Sequence, residues 1–195
     1  YKSLLKLMLI EAYASEYPEV RCISLDFKQA IYQNALNLDE LDAYVMLYKR
    51  LARYLHQRGE YERLELMRRC FYLKVDKQLT RPLTHAYKSW QRIVLEQLCA
   101  QWKWSSNQLD HLDNREHWKT AEVQVERRLL VSELMHSYRF LSHLSQQLQV
   151  GSTVNVRDMA VLGRRLYAAF ERKADKVEFI NPGIAPSLAE DTLTL

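Results

Sequence analysis

Glycine and proline are scarce in this sequence, with four residues of each among 195. Tight turns between β-strands draw heavily on both residues, so their scarcity argues against a turn-rich β fold and for long helices. Cysteine is scarce too, because only Cys22, Cys70 and Cys99 occur, widely spaced in apolar stretches. An odd number at such spacing argues against a disulfide framework, and we interpret all three as reduced, buried thiols of a cytosolic protein.

A strong excess of charge and a long apolar run are also missing. The formal net charge of +4 is a mild bias that demands no acidic partner, and we expect no nucleic acid partner. The apolar run from Leu4 to Ala14 contains Lys6 and Glu11 and is too short to cross a bilayer, so we expect no membrane span. With 48% hydrophobic residues, the chain can bury a sizeable core.

Hydrophobic periodicity predicts an all-α fold of about seven packed helices, arranged as an irregular bundle with helical hairpins. The expected helices cover 2–15, 24–34, 39–57, 60–75, 82–104, 118–148 and 155–172, with a short turn near 106–112. Ser24 and Asp39 are the expected N-caps of the second and third helices, and Pro82 is the expected first residue of the fifth. Gly59 should end the third helix and close an antiparallel hairpin with the fourth.

The sequence pattern changes from helical periodicity to strand-like alternation near the C-terminus of the chain. Residues 177–180 alternate like a strand, and the turn signal Asn181-Pro182-Gly183 follows them. We therefore predict a helical domain at 1–175 and the start of a short β-containing region at 176–195. The missing initiator methionine and the strand-like end at 192–195 lead us to expect an interior fragment of a longer protein.

The helix over residues 63–75 is predicted to be central, because its apolar residues form two adjacent rows that need neighbours on more than one side. Its basic residues Arg68, Arg69 and Lys74 have two interpretations. Glu65 lies three and four residues before the arginines, the spacing for intrahelical ion pairs on a solvated face. The alternative is that Arg68, Arg69 and Lys74 contact an anion or a nucleotide. Farther along, the longest helix should turn leucines at 130, 134, 141, 144 and 148 and Tyr138 inward.

Sequence motifs that carry chemistry are missing as well. There is no HExxH or CxxC metal motif, no Gly-x-Ser-x-Gly elbow and no glycine-rich phosphate loop. Gly151-Ser152 followed by Asp158 is similar to the start of a nucleotidyltransferase site, but position 160 is alanine where a second carboxylate is required. We therefore predict no catalytic residue, no metal ligand and no bound cofactor in this chain.

Several stretches together resemble bacterial class I adenylate cyclases in order and spacing. They are YKSLLK at 1–6, EAY at 11–13, EYP at 16–18, RRCFYLKV at 68–75, LDNR at 112–115, WK at 118–119, LYAAFE at 166–171, KV at 176–177 and NP at 181–182. The least similar segments are 20–39 and 146–155. Each stretch alone is modest, and it is their collinearity over essentially the whole chain that makes the resemblance specific.

The resemblance implies a parent enzyme that converts ATP to 3′,5′-cyclic AMP and pyrophosphate with a divalent metal, expected to be Mg²⁺. It places the catalytic carboxylates N-terminal to this chain, so the chain alone should be inactive. It also implies that the chain supports the catalytic module and links it to the regulatory half. The cysteine content predicts a cytoplasmic protein. A component of the glucose phosphotransferase system is a possible partner. A tetratricopeptide-like interaction module built on the hairpin at 39–78 is the alternative, and nucleic-acid binding through the arginine rows is a weaker one.

Overall fold

Seven α-helices are present in the part of the chain that this computed structural model describes, namely residues 1–33, 42–82, 88–147, 157, 160–161, 163–164 and 179–190. They are α1 (Lys2–Ala14), α2 (Ile23–Tyr32), α3 (Ala43–Gln57), α4 (Tyr61–Val75), α5 (Trp90–Trp102), α6 (Ser106–Asp113) and α7 (Thr120–Gln147). A 3₁₀ turn at Arg115–His117 joins α6 to α7. The predicted all-α class is confirmed over these residues, and the described residues between 157 and 164 are helical where the last predicted helix was expected.

Helix α4 lies at the centre of the core, as its two apolar rows predict. It packs against α1, α3 and α5. Its buried side chains are Leu64, Leu66, Met67, Cys70, Phe71, Tyr72 and Leu73. α7 packs mainly along α1. An apolar surface this broad is stable only when several helices cover it, which explains the position of α4.

The predicted hairpin of α3 and α4 is confirmed, and Gly59 makes its turn. Gly59 has a φ of 69°, a left-handed conformation that glycine adopts without a Cβ penalty. Its amide donates to the carbonyl of His56 at 3.1 Å, and the amide of Glu60 donates to the carbonyl of Leu55 at 3.0 Å. These two bonds form a Schellman motif, which satisfies carbonyl groups that the end of α3 would otherwise leave unpaired.

Three predicted helix starts are wrong. α2 begins at Ile23 after Cys22, so Ser24 lies inside the helix and does not cap it. α3 begins after Asp42, whose carboxylate accepts hydrogen bonds from the amides of Tyr44 and Val45 at 2.8 and 3.0 Å; Asp39 lies outside the described residues.

The fifth helix begins at Trp90, eight residues after Pro82. The guanidinium of Arg92, in the first turn of α5, donates to the carbonyls of Gln78, Leu79 and Arg81 at 2.9–3.1 Å and so ties the start of α5 to the loop before Pro82. Of these three, only the Arg81 carbonyl would accept a hydrogen bond in a helix that starts at Pro82, and it is bonded to Arg92 instead; residues 83–87 lie outside the described residues. Ser89 caps the true start by accepting a hydrogen bond from the amide of Arg92.

The C-terminal segment 179–190 forms turns, and no described residue in it belongs to a strand. The predicted strand at 177–180 is therefore wrong at Phe179 and Ile180, while 177, 178 and 191–195 lie outside the described residues. The segment packs on the helices: Ile184 is buried in the common core, and the amide of Ala189 donates to the carbonyl of Trp118 at 3.0 Å. The boundary at 175/176 also falls outside the described residues and stays a prediction.

Two of the three cysteines behave as predicted. Cys70 and Cys99 are buried free thiols, and burial raises the pKa of each to about 12. Cys22 is free but exposed, because α2 lies at the surface, so the prediction of burial is wrong there. Among the described helices, none is both long and apolar enough to span a membrane.

Candidate functional site

The most concentrated group of polar side chains surrounds Arg63, near the start of α4. Its guanidinium donates two hydrogen bonds of 2.9 Å to Glu11 of α1. It also donates through Nε to both carboxylate oxygens of Glu133 on α7, at 3.0 and 2.9 Å, and it bonds to Glu60 at the start of its own helix. Both Glu11 and Glu133 are buried. One cation thus joins three helices through two buried carboxylates.

Two hydroxyl groups complete what we name the Arg63 cluster, consisting of Arg63, Glu11, Glu133, Tyr54 and Ser137. The hydroxyl of Tyr54 donates to Glu11 at 3.0 Å, and that of Ser137 donates to Glu11 at 2.9 Å. Tyr54 brings α3 into the cluster, so four helices meet there. A buried carboxylate with this many donors has little remaining capacity to accept another hydrogen bond.

The electrostatics of the cluster favour the ionised state of its central pair. Burial alone would raise the pKa of Glu11, but the hydrogen bonds and charge of Arg63, with the two hydroxyls, hold that pKa below its ordinary value. Burial and the charge of Glu11 raise the pKa of Tyr54 to about 12. Burial would lower the pKa of Arg63, but its bonds to Glu133 and Glu11 raise it. Glu11 is therefore a permanent anion at neutral pH, suited to holding helices together and poorly suited to accepting protons.

A second buried group fixes the connection between α4 and α5. The hydroxyl of Tyr72 donates to Asp113 of α6 at 2.6 Å, and the amide and hydroxyl of Thr80 donate to the same carboxylate at 2.9 Å. Burial and the Asp113 carboxylate raise the pKa of Tyr72. Asp113 therefore ties α6 to the end of α4 and to the loop that follows it.

The structure separates the three predicted anion-contact residues. Arg68 pairs with Glu65 at 3.2 Å, as its spacing predicts, and its guanidinium lies 5.9 Å from the ring centre of Trp102. Arg69 bonds to Glu126 of α7, so its predicted pairing with Glu65 is wrong. The other oxygen of Glu65 accepts a hydrogen bond from the indole of Trp104 at 2.7 Å. Both arginines thus carry carboxylate partners within the fold.

Lys74 lies near a different neighbour, in the last turn of α4. Its ammonium group is 4.7 Å from the ring centre of Tyr44, and the two residues line a cavity of about 360 Å³ between α3, α4 and α5. Among the described residues, Lys74 has no carboxylate partner. The three predicted contacts therefore do not form a single site.

Sequence reasoning missed the Arg63 cluster, although a signal was present. Glu11 follows Leu4 and Met8 on the buried face of α1, and Glu133 follows Leu130 on that of α7. A charged residue in line with an apolar row is the mark of a buried ion pair. Among the side chains that the structure describes on α7, the buried ones are Val123, Glu126, Glu133 and Ser137. Leu130 and Leu134 pack on the core as predicted, whereas Tyr138, Leu141 and Leu144 are only partly buried and Leu148 lies outside the described residues.

The residues that the structure describes do not form a binding site for a metal ion. No group of three or more histidine, cysteine, aspartate or glutamate side chains among them is arranged as a ligand set. His136, the histidine nearest to Glu11, lies 3.8 Å from a carboxylate oxygen that already accepts bonds from Arg63 and Tyr54. We therefore derive no metal-dependent step from these residues.

Comparison with known proteins gives a consistent result. Residues 1–181 match the family model described as adenylate cyclase, class-I, second domain. Over 194 residues the chain is 41% identical to the adenylate cyclase of Yersinia intermedia and 40% identical to that of Escherichia coli (strain K12). It is 40% identical over 195 residues to the adenylate cyclase of Proteus mirabilis.

The coverage of these matches is uneven. They span the whole of this chain but only 22–23% of the length of these curated relatives. No solved structure matches the chain. Because the family model covers most of the chain, the chain belongs to the class-I adenylate cyclase family and corresponds to its second domain.

Proposed function

We propose that this chain is a helical, non-catalytic segment of an adenylate cyclase that converts ATP to 3′,5′-cyclic AMP and pyrophosphate. In that enzyme the segment supports the catalytic module and links it to the regulatory half. The family match over residues 1–181 and the much greater length of the relatives support this assignment.

The observation that carries the supporting role is the Arg63 cluster. Its central carboxylate, Glu11, is already bonded to a guanidinium and two hydroxyls, so the cluster suits holding α1, α3, α4 and α7 in a fixed arrangement. A rigid bundle of this kind can position neighbouring parts of a longer polypeptide. The remaining components would lie outside the segment: ATP and Mg²⁺ at a catalytic site N-terminal to it, and a component of the glucose phosphotransferase system at the regulatory half. The whole enzyme would be cytoplasmic.

Helix α2 is the best surface for contact with the catalytic module. It contributes no buried residue, and its main contact is with α3. Leu25, Ile31 and Tyr32 expose 55%, 52% and 89% of their surface. A helix with apolar residues on several faces is normally covered. Replacing Leu25 and Ile31 by aspartate should leave the stability of this chain almost unchanged but lower cyclic AMP formation by the longer enzyme.

A second, weaker proposal is that Arg68, Arg69 and Lys74 contact an anion in the longer enzyme. Reversing the charge of Arg68 and Arg69 in the longer enzyme tests it, with cyclic AMP formation and thermal unfolding measured together. Loss of activity at unchanged stability would support an anion contact. Loss of both would indicate that the arginines act through Glu65 and Glu126.

A direct test of the non-catalytic assignment uses the purified chain. With labelled ATP and Mg²⁺ it should form no cyclic AMP above the rate without protein. Metal-dependent formation of labelled cyclic AMP by the chain alone would refute the assignment.

A further inference from the structure

A cavity with a volume of about 360 Å³ lies where the start of α3, the end of α4 and the start of α5 meet. Its floor is apolar, because Val45, Phe71 and Leu95 are buried members of the core that also line the cavity. This volume is in the range of pockets for small molecules. A floor of this kind favours a flat, apolar group.

The walls of the cavity carry two lysines. Lys74 and Lys77 both line it, and neither forms an ion pair with any residue in the part of the chain that the structure describes. The one lining carboxylate, Asp42, accepts hydrogen bonds from the amides of Tyr44 and Val45, so it is engaged in capping α3. Two lysines against one engaged carboxylate leave a net positive charge, which favours an anionic ligand.

Aromatic rings complete the lining. Tyr44 faces the ammonium group of Lys74, and Trp90, the first residue of α5, is 40% exposed although its ring is large and apolar. Partly exposed aromatic rings that line a pocket offer their faces for stacking with a planar ligand. Together these features describe one ligand chemistry, a flat ring that carries a negative charge.

We propose that this cavity binds a small aromatic anion, whose ring contacts Trp90 and Tyr44 and whose charged group is held by Lys74 and Lys77. The proposal rests on the cavity and does not depend on the adenylate cyclase assignment. Nucleoside phosphates and aromatic carboxylates share this chemistry, and the experiment below distinguishes them.

The experiment titrates the 195-residue chain by calorimetry with AMP and with naphthoate, which join a ring to a phosphate and to a carboxylate respectively. Adenosine supplies a ring without charge, and inorganic phosphate supplies charge without a ring. At least one of the two ring-bearing anions should bind, and adenosine and phosphate should each bind about tenfold more weakly, because each lacks one half of the contacts. Binding of AMP alone would identify nucleoside phosphates, and binding of naphthoate alone would identify aromatic carboxylates.

Single substitutions locate the site. Lys77→Ala, at an exposed position after the end of α4, should weaken binding by about tenfold without affecting the fold, as should Lys74→Ala. Trp90→Ala should weaken binding of the ring. Lys6→Ala is the matched control, since it removes the same charge from an exposed position on α1 and should bind as the unaltered chain does.

Circular dichroism and thermal unfolding establish that each variant is folded before its binding is measured. The proposal would be overturned if neither AMP nor naphthoate binds at about 1 mM, a concentration that half-fills a site with a Kd of about 1 mM. It would equally be overturned if adenosine binds as tightly as AMP while naphthoate does not bind, or if Lys74→Ala and Lys77→Ala bind as tightly as Lys6→Ala.

Discussion

At the scale of single residues, the buried charges decide most of what is specific to this fold. Glu11, Glu126 and Glu133 are almost completely buried, and each faces an arginine of α4. A buried carboxylate without a partner is very unfavourable, so these pairs disfavour any arrangement of α1 and α7 around α4 that separates a carboxylate from its arginine.

Replacing Arg63 by methionine should destabilise the chain by about 3 kcal/mol, because it leaves Glu11 and Glu133 buried without their cation. Arg58→Met is the matched control: Arg58 also pairs with Glu60, but 46% of its side chain is exposed, so the change should cost less than about 1 kcal/mol. Urea unfolding of the three proteins measures the difference. Equal stability of the two variants would show that the Arg63 cluster does not hold the helices together.

Acid should weaken the Arg63 cluster in a defined direction. Because the pKa of Glu11 is lower in the folded chain than its ordinary value of 4.5, its ionised form contributes stability above that pH. This stability is lost as the pH falls from 4.5 through the pKa of the folded state. Glu11→Gln should therefore show a shallower decline in the free energy of unfolding below pH 4.5 than the unaltered chain, measured by urea unfolding at several pH values. An unchanged decline would contradict the assignment.

At the scale of elements, local patterns predicted most helices but misplaced three helix starts. The α3–α4 hairpin was predictable, because Gly59 and the flanking apolar periodicity lie in one stretch of sequence. The start of α5 was not, because Pro82 is a good first residue, whereas the contact of Arg92 with three carbonyls of the preceding loop joins residues 11 to 14 positions apart, which no local pattern reveals.

In the candidate site as well, a contact between neighbours in sequence was predictable and a contact between distant residues was not. The pairing of Arg68 with Glu65 follows from their spacing, whereas that of Arg69 with Glu126 joins residues 57 positions apart, which no local pattern reveals. The cavity beside Lys74 likewise depends on three helix ends that meet only in the folded chain.

The cap of α3 gives a test at this scale. Asp42→Ala removes the acceptor of two backbone amides and should destabilise the chain by about 1 kcal/mol. Asp110→Ala, at an exposed position in α6, is the control and should change the stability by less than about 0.5 kcal/mol. Thermal unfolding measures both, and an equal effect of the two substitutions would count against Asp42 as the cap.

At the scale of the whole molecule, the described helices surround α4 and converge on two buried polar groups, one around Arg63 and one around Asp113. Each group links elements that are distant in sequence and leaves its carboxylates bonded within the fold. This is the arrangement expected of a rigid support, and it agrees with membership in the class-I adenylate cyclase family as the second domain.

The most direct test of this supporting role compares Arg63→Met with Arg58→Met in the longer enzyme, measuring cyclic AMP formation, the KM for ATP and thermal unfolding on the same preparations. We predict that Arg63→Met loses activity only at temperatures where it unfolds, with an unchanged KM for ATP below them, and that Arg58→Met resembles the unaltered enzyme. A raised KM or a lost rate in Arg63→Met at temperatures where it is fully folded would contradict the account, because Arg63 would then affect the reaction by a route other than the stability of the bundle.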